Sequence, residues 1–176
     1  MKKVIAAIKN ESELDAAIEA KVELIFDLSP DLHNIKQRTE KVHSAGAKLF
    51  IHMDFATGIG KDRSGILFVK EMGVDGILST RLNIIRIARD EGVSAIQRFF
   101  LLDSQSVETM LNTIASVKAD MIEVMPGIMP KLIGKISSQI DVPIIAGGLV
   151  DTKEEVEDAL NAGAYAISTG KKELWG

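Results

Sequence analysis

The sequence predicts a single α/β domain over residues 1–176, a compact (β/α)8 barrel of the TIM type. A short apolar motif recurs often enough to give eight strands, and a helical pattern fills every gap between its copies. The length agrees, since domains most often contain about 100–150 residues. An open doubly wound sheet is the alternative, although such sheets usually have fewer strands.

The recurring motif is a glycine, lysine or aspartate, then a short side chain, then a run of β-branched and aliphatic residues. Seven copies and the opening strand Val4–Ile8 make eight units; the copies begin at Lys21, Gly46, Gly73, Gly92, Lys118, Asp141 and Gly163. Their spacing suits one strand, one helix and two tight loops. Because the strands are almost continuously apolar, they are typical of a parallel sheet buried on both faces.

The helices are predicted from apolar stripes and from end signals. Thr152 and Glu155 have the spacing of a capping box, and Gly163 stands where a left-handed residue ends a helix. Pro130 suits a first helical turn. Two segments carry their apolar side chains on one stripe, Leu14, Ala17 and Ile18 in the first and Leu82, Ile85 and Ala88 in the second.

The chain ends too soon for a full eighth helix. After the predicted last strand, residues 166–168, only residues 169–176 remain, enough for about two helical turns. We therefore expect the last outer helix to be truncated or missing, which leaves apolar barrel surface between the first and seventh helices. Either a partner subunit, which would make the protein a homo-oligomer, or Leu174 and Trp175 would cover it.

Composition excludes several classes of protein. No apolar run approaches the roughly 18 residues that span a bilayer, and the N-terminus regains charge too soon for a signal peptide, so we expect a cytoplasmic protein with no membrane partner. The absence of cysteine excludes a disulfide framework, a thiol nucleophile and a cysteine-ligated zinc site. The net charge of -4 leaves nucleic-acid binding only to a local basic patch.

The last two predicted strands end in residues suited to hold a phosphate. Residues 143–146 precede Gly147 and Gly148, whose backbone N–H groups can approach an anion because no side chain intervenes. Thr169, Gly170 and Lys171 follow the eighth strand and offer a hydroxyl, an open backbone and a cation. In barrels of this type the loops after strands seven and eight often bind phosphate. The plainer interpretation, that these glycines only form tight turns, stays open.

Other polar side chains near predicted strand ends are candidates for contacts with ligand hydroxyls: Asp27, His52, Asp54, Arg98, Asp103 and Glu123. Asp27 and Glu123 would form a general acid and base pair if both side chains faced inward. Carboxylates at strand ends also cap helices, however. Capping is the preferred interpretation for Asp103. His52 and Asp54 could share a metal, yet His33 and His43 fall on the second helix, so we expect no metal and no cofactor.

A long loop over residues 55–63 contains two glycines and two cations, Lys61 and Arg63. We interpret it as a mobile lid over a ligand, with an ordinary solvated loop as the alternative. Its Gly-Ile-Gly sequence is not a dinucleotide fingerprint, because Arg63 replaces the third glycine.

An arginine cluster follows the predicted fourth strand, at Arg81, Arg86 and Arg89. In the plain interpretation these arginines pair with neighbours such as Asp90 on a solvated face. In the alternative they contact the phosphate backbone of a nucleic acid. The chain has only eight aromatic residues and no aromatic-rich platform, so composition alone favours the first.

Five segments, which together extend through nearly the whole chain, resemble the glycerol-3-phosphate-responsive antiterminators of glycerol-utilisation operons: Phe26-Asp-Leu-Ser, Leu49-Phe-Ile-His-Met-Asp-Phe-Ala-Thr-Gly-Ile, Gly76-Ile-Leu-Ser-Thr-Arg, Gln97-Arg-Phe-Phe-Leu-Leu-Asp-Ser and Ile144-Ile-Ala-Gly-Gly-Leu-Val. The resemblance implies a barrel that senses glycerol-3-phosphate and acts on the leader of a messenger RNA to allow read-through of a terminator. It also implies that catalysis is absent.

The resemblance suggests where the partners bind. It implies that the phosphate lies on Gly147, Gly148, Thr169, Gly170 and Lys171. It implies that the glycerol hydroxyls lie near Asp27, Asp54 or Glu123. It does not mark the RNA contacts, for which we nominate Lys61, Arg63, Arg81, Arg86 and Arg89.

An enzyme on the same barrel is the alternative, a phosphosugar isomerase, epimerase or aldolase, since a fold does not dictate a function. An aldolase would need a Schiff-base lysine inside the cup. Lys48 begins its strand at the wrong end and Lys70 belongs to the third helix, which weakens that alternative. A carboxylate-based isomerase stays open.

Overall fold

The computed structural model describes residues 3–176 and is a closed barrel of eight parallel strands in sequence order, as predicted. The strands are β1 (Val4–Ile8), β2 (Leu24–Asp27), β3 (Lys48–His52), β4 (Gly76–Ser79), β5 (Ser94–Phe100), β6 (Met121–Met125), β7 (Ile144–Gly147) and β8 (Ala166–Thr169). The helices are α1 (Glu11–Glu19), α2 (Ile35–Ser44), α3 (Arg63–Glu71), α4 (Leu82–Asp90), α5 (Ser104–Val117), α6 (Pro130–Ser137) and α7 (Lys153–Asn161). Pairing of β1 with β8 closes the barrel.

The strands bury both faces, and their side chains alternate between the barrel interior and the helix layer. The interior is filled by one apolar cluster, Ile5, Leu24, Phe26, Phe50, Leu78, Ile96, Ile145 and Ala166. The residues between them pack outward against the helices in two further clusters. Since interior and exterior positions alternate strictly, this phase decides which polar side chains at the strand ends can meet a ligand.

The predicted end signals are confirmed. Thr152 and Glu155 form a capping box at the start of α7, and Pro130 stands in the first turn of α6. Gly163 follows α7 with φ of 109°. Asp103 caps α5, where its side chain accepts from the backbone N–H of Ser106, so the capping interpretation of Asp103 is also confirmed.

Among the described residues after β8, only a 3-10 helix at Lys172–Leu174 forms, in agreement with the predicted truncation of the last outer helix. Leu174 and Trp175 are 8% and 1% exposed, and Trp175 belongs to the same apolar cluster as residues of α1. The indole Nε1 of Trp175 donates to the carbonyl oxygen of Thr169 over 2.9 Å. The two side chains therefore cover the surface next to α1, as the second of the two alternatives expects.

None of the helices within residues 3–176 is both long enough and apolar enough to cross a membrane.

Candidate functional site

A cavity of about 430 Å³ opens at the carboxyl ends of the strands. Its wall combines three cations with the two loops that follow β7 and β8, and the residues that matter here are Lys9, Arg98, Gly148, Ser168, Gly170 and Lys171. This is the face of a (β/α)8 barrel on which ligands bind. The volume is within the range of small-molecule sites.

The loop after β7 contains two successive left-handed residues. Gly148 and Leu149 follow one another with φ of 76° and 61°, both left-handed. Left-handed residues in turns are components of the concave nests that backbone N–H groups form around anions. Leucine adopts this conformation at a cost, and such strain clusters at ligand sites. Leu149 is also 67% exposed on the cavity rim.

The loop after β8 faces this backbone across the cavity. Gly170 and Lys171 line the wall, and Nζ of Lys171 lies 3.4 Å from Oδ1 of Asp151. Thr169 lines the wall too, but its hydroxyl donates to the carbonyl of Val150 and accepts from the N–H of Lys171. The Thr169 side chain therefore shapes the loop, and the inward-facing Ser168 is a cavity hydroxyl that the sequence analysis did not select.

Gly147 does not line the cavity, unlike the other four residues of the expected phosphate site. A Cβ at this position would lie 2.5 Å from Oε1 of Glu123. The glycine is needed because the Glu123 carboxylate occupies the space that a side chain would fill.

A buried ion pair forms the inner end of the site. Nε of Arg98 donates to Oε2 of Glu123 over 2.5 Å, and the two side chains are 6% and 0% exposed. The residues stand opposite each other on β5 and β6, and Arg98 reaches the cavity wall. Arg98 appeared in the sequence analysis only as one of six polar strand-end residues. Its signal was a cation on a strand whose other residues are all uncharged.

Asp27, expected near the ligand hydroxyls, faces away from the cavity. Phe26 belongs to the interior cluster, so the next residue on β2 points to the helix layer. The Asp27 carboxylate accepts from Nη1 of Arg38 on α2 over 2.7 Å and from the N–H of Ser29 over 3.0 Å. Its role is to attach α2 to the barrel wall.

Asp54, also expected near the hydroxyls, is bonded to the neighbouring strand end. It accepts from the hydroxyl of Ser79 and from the N–H and hydroxyl of Thr80. Burial raises the pKa of Asp54, but these hydrogen bonds outweigh burial and lower it below its ordinary value. Of the three expected hydroxyl contacts, only Glu123 is held against a side chain of the cavity wall.

His52 lies inside the barrel, 1% exposed, with its ring centroid 4.5 Å from that of Phe55. Burial lowers the pKa of His52 to about 4, and the positive charge of Arg98 adds to the shift. The ring is therefore neutral near pH 7. Among residues 3–176 no three histidine or carboxylate side chains are grouped so that they could hold a metal ion.

The loop over residues 55–63 lies against the segment between β2 and α2 and lines no part of the cavity. The N–H of Thr57 donates to the carbonyl of Pro30 over 2.9 Å, and the carbonyl of Thr57 accepts from Leu32 over 3.0 Å. In this conformation the loop does not cover the cavity, unlike the predicted lid.

The five nominated RNA contacts differ in whether their cationic side chains are held by other groups of the protein. Lys61 donates to the carbonyls of Ala56 and Ile59, and burial together with the nearby charge of Arg81 lowers its pKa. Ion pairs hold two of the arginines, Arg63 with Glu91 and Arg89 with Asp120. In the described part of the chain the other two, Arg81 and Arg86, form no ion pair.

The comparisons with known proteins agree with one another. The family model described as glycerol-3-phosphate responsive antiterminator matches residues 4–175. The Escherichia coli (strain K12) protein YgcP is 37% identical over 173 residues, which is 98% of this chain and 91% of that protein.

Two solved structures are similar in fold and in sequence. The glycerol uptake operon antiterminator regulatory protein of Listeria monocytogenes has a TM-score of 0.92 and 33% identity, over 98% of this chain and 94% of that one. The glycerol uptake operon antiterminator-related protein of Thermotoga maritima has a TM-score of 0.89 and 35% identity, over 99% and 98%. Aldolases of 13–14% identity share the fold alone.

Proposed function

Because this chain belongs to the family of glycerol-3-phosphate-responsive antiterminators, we propose that it binds glycerol-3-phosphate in the cavity above the barrel. In the bound state it acts in the cytoplasm on the leader of a messenger RNA for glycerol use, and polymerase then reads through a terminator. The family is a regulatory one, not a family of enzymes. The ligand is an effector, and the function requires no cofactor.

The observation that carries the proposal is the polarity of the cavity. One end has the left-handed backbone of Gly148 and Leu149, the open backbone of Gly170, and Lys171. These groups suit a phosphate dianion, which binds to backbone N–H groups and cations. Arg98 lines the same cavity and is paired with the fully buried Glu123, and this donor and acceptor pair suits hydroxyl groups. A phosphorylated three-carbon alcohol has both ends.

The RNA contact belongs to the surface around the start of α4. Arg81 and Arg86 carry it, because their charges are not neutralised by an ion pair within residues 3–176, whereas Arg63 and Arg89 are paired. Arginine contacts phosphate oxygens through a bidentate fork, which makes unpaired arginines the better candidates.

Calorimetry with glycerol-3-phosphate and with plain glycerol tests the proposed identity of the ligand. We expect binding of the phosphate ester alone, since the backbone and lysine contacts are made to the phosphate. Gly148→Asp places a carboxylate in the phosphate end and abolishes binding by charge repulsion.

A matched control separates this repulsion from strain. Gly46 has φ of 77°, against 76° for Gly148, and a Cβ there meets no atom within 4 Å. Gly46→Asp therefore carries the same backbone strain and the same added charge away from the cavity, between α2 and β3, and binding stays unchanged. If the folded wild type binds neither compound, the proposal is wrong, and turnover of phosphorylated trioses is then the next assay.

A further inference from the structure

Two buried polar atoms have no partner within residues 3–176, Nη2 of Arg98, a residue that lines the cavity, and Oε1 of Glu123, which is fully buried behind Arg98. The rest of each group is fixed by the single hydrogen bond of 2.5 Å between Nε and Oε2. A buried donor or acceptor without a partner is costly, so each of these atoms requires a ligand group or a water.

The two atoms have opposite requirements. A guanidinium only donates hydrogen bonds, and a carboxylate only accepts them. A hydroxyl group satisfies both, because its oxygen accepts from Arg98 while its hydrogen is donated to Glu123. A ketone oxygen in the same position can accept from Arg98, but it brings its lone pairs towards Glu123. A carboxylate brings a second negative charge.

We propose that Arg98 and Glu123 together select the oxidation state of one carbon of the bound phosphate ester, the carbon whose oxygen lies between them, taking an alcohol there and rejecting a ketone or a carboxylate at that carbon. This inference rests on the proposed function, because it takes the ligand to be a phosphorylated three-carbon alcohol. Both residues are specificity-determining, and neither needs to react.

One member of the buried pair lines the cavity, and the other is held directly against it. Arg98, Gly148 and Lys171 line the same cavity, whose volume of about 430 Å³ is ample for a three-carbon ester. Gly147 leaves space beside Oε1 of Glu123, which a Cβ would approach to 2.5 Å. The phosphate end therefore supplies affinity that all such esters share, and the buried pair supplies the difference between them.

The test is calorimetry of the wild-type protein with three esters that share the phosphate: glycerol-3-phosphate, dihydroxyacetone phosphate and 3-phosphoglycerate. The ketone differs from the alcohol at C2 and the acid at C1, and each keeps the other hydroxyl. We therefore expect the ester that is changed at the carbon held between Arg98 and Glu123 to bind at least about tenfold more weakly than the alcohol, the effect of one unpaired buried polar group. In Glu123→Gln the amide can donate to a ketone, so the preference for the alcohol falls to within about threefold.

A second variant covers the case in which Glu123→Gln does not fold, since that change leaves Arg98 buried without a counter-ion. The double variant Arg98→Gln with Glu123→Gln removes both charges and also loses the preference. Equal affinity of the wild type for all three esters, or a preference for the ketone or the acid over the alcohol, overturns this inference and leaves the proposed function intact. A preference that persists in both variants overturns the assignment to these residues. Binding of none of the three esters overturns the proposed function and this inference with it.

Discussion

Nη1 of Arg38 donates a hydrogen bond of 2.7 Å to Oδ2 of Asp27, and both side chains are almost fully buried, 8% and 1% exposed. The pair lies between β2 and α2, on the helix side of the barrel wall. Arg38 also contacts Glu11, which links α1 to the same group. The Asp27 carboxylate at the end of β2 thus serves the packing of two outer helices and not the ligand.

Replacement of Arg38 should destabilise the protein without changing ligand binding in the cavity. Arg38→Met leaves the buried charge of Asp27 without its partner, which costs about 3–5 kcal/mol of unfolding free energy. The double variant with Asp27→Asn recovers much of that loss, because no unpaired charge remains. Urea unfolding measures both variants. Under conditions in which the variants are folded, calorimetry should give an unchanged affinity for glycerol-3-phosphate. A weakened affinity in Asp27→Asn would indicate that Asp27 contacts the ligand.

Trp175 should stabilise the protein by covering part of the barrel surface that a full eighth helix would otherwise cover. Trp175→Ala removes a large side chain that is 1% exposed, and such changes cost about 3–5 kcal/mol. Trp175→Phe keeps most of the packing and loses the hydrogen bond to the Thr169 carbonyl, which costs about 1 kcal/mol. Urea unfolding at one protein concentration measures the series. Equal stability of the wild type and Trp175→Ala would mean that another surface covers the barrel here.

Lys171 should contribute to ligand affinity through its charge. Lys171→Gln removes a cation from the cavity wall, and we expect glycerol-3-phosphate to bind about 3- to 10-fold more weakly, with a larger effect at low salt. Lys172→Gln is the matched control, because it makes the same change one residue further on, at a side chain that does not line the cavity. Equal weakening in the two variants would indicate a general charge effect and no contact with Lys171.

The sequence predicts most of the fold because its signals are local. The repeat gives the eight strands, and Thr152, Glu155 and Pro130 define helix starts through contacts within a single turn. The two glycine-containing loops that line the cavity follow from their place after the last two strands.

What the sequence does not predict is the direction of side chains on short apolar strands. When every residue of a strand is buried, the pattern carries no phase, so Asp27 and Glu123 look alike in the sequence although one faces α2 and the other the barrel interior. Ion pairs between elements are equally hidden. Arg89 binds Asp120, which is 31 residues away in the chain, and no local pattern distinguishes it from the unpaired Arg86.

Stability should fall as the pH decreases from about 6.5 towards 4, in part because of His52. The pKa of His52 is about 4 in the folded protein, against 6.5 for an ordinary histidine, so in this window the unfolded chain binds a proton that the folded chain does not. His52→Gln removes this contribution of up to about one proton to the difference in proton binding between the unfolded and the folded state. Urea unfolding between pH 7 and pH 5 should show a smaller loss of stability for the variant, and parallel curves would contradict the prediction.

RNA binding should depend on the unpaired arginines of the α4 region more than on the paired ones. Arg86→Gln removes a charge that has no ion-pair partner within residues 3–176. Arg89→Gln removes a charge that Asp120 already neutralises. Both lie on the same helix, so the two variants make a matched pair. With a leader RNA that the wild type binds, we expect Arg86→Gln to weaken binding and to reduce the slope of log affinity against log salt by about one, because one phosphate contact is lost. Arg89→Gln should change neither quantity much.

Filter binding from 50 to 200 mM salt, with and without glycerol-3-phosphate, measures both the affinity and the salt slope. If the two variants weaken binding equally, ion pairing does not decide which arginines contact RNA, and if neither does, the RNA surface lies elsewhere on the barrel.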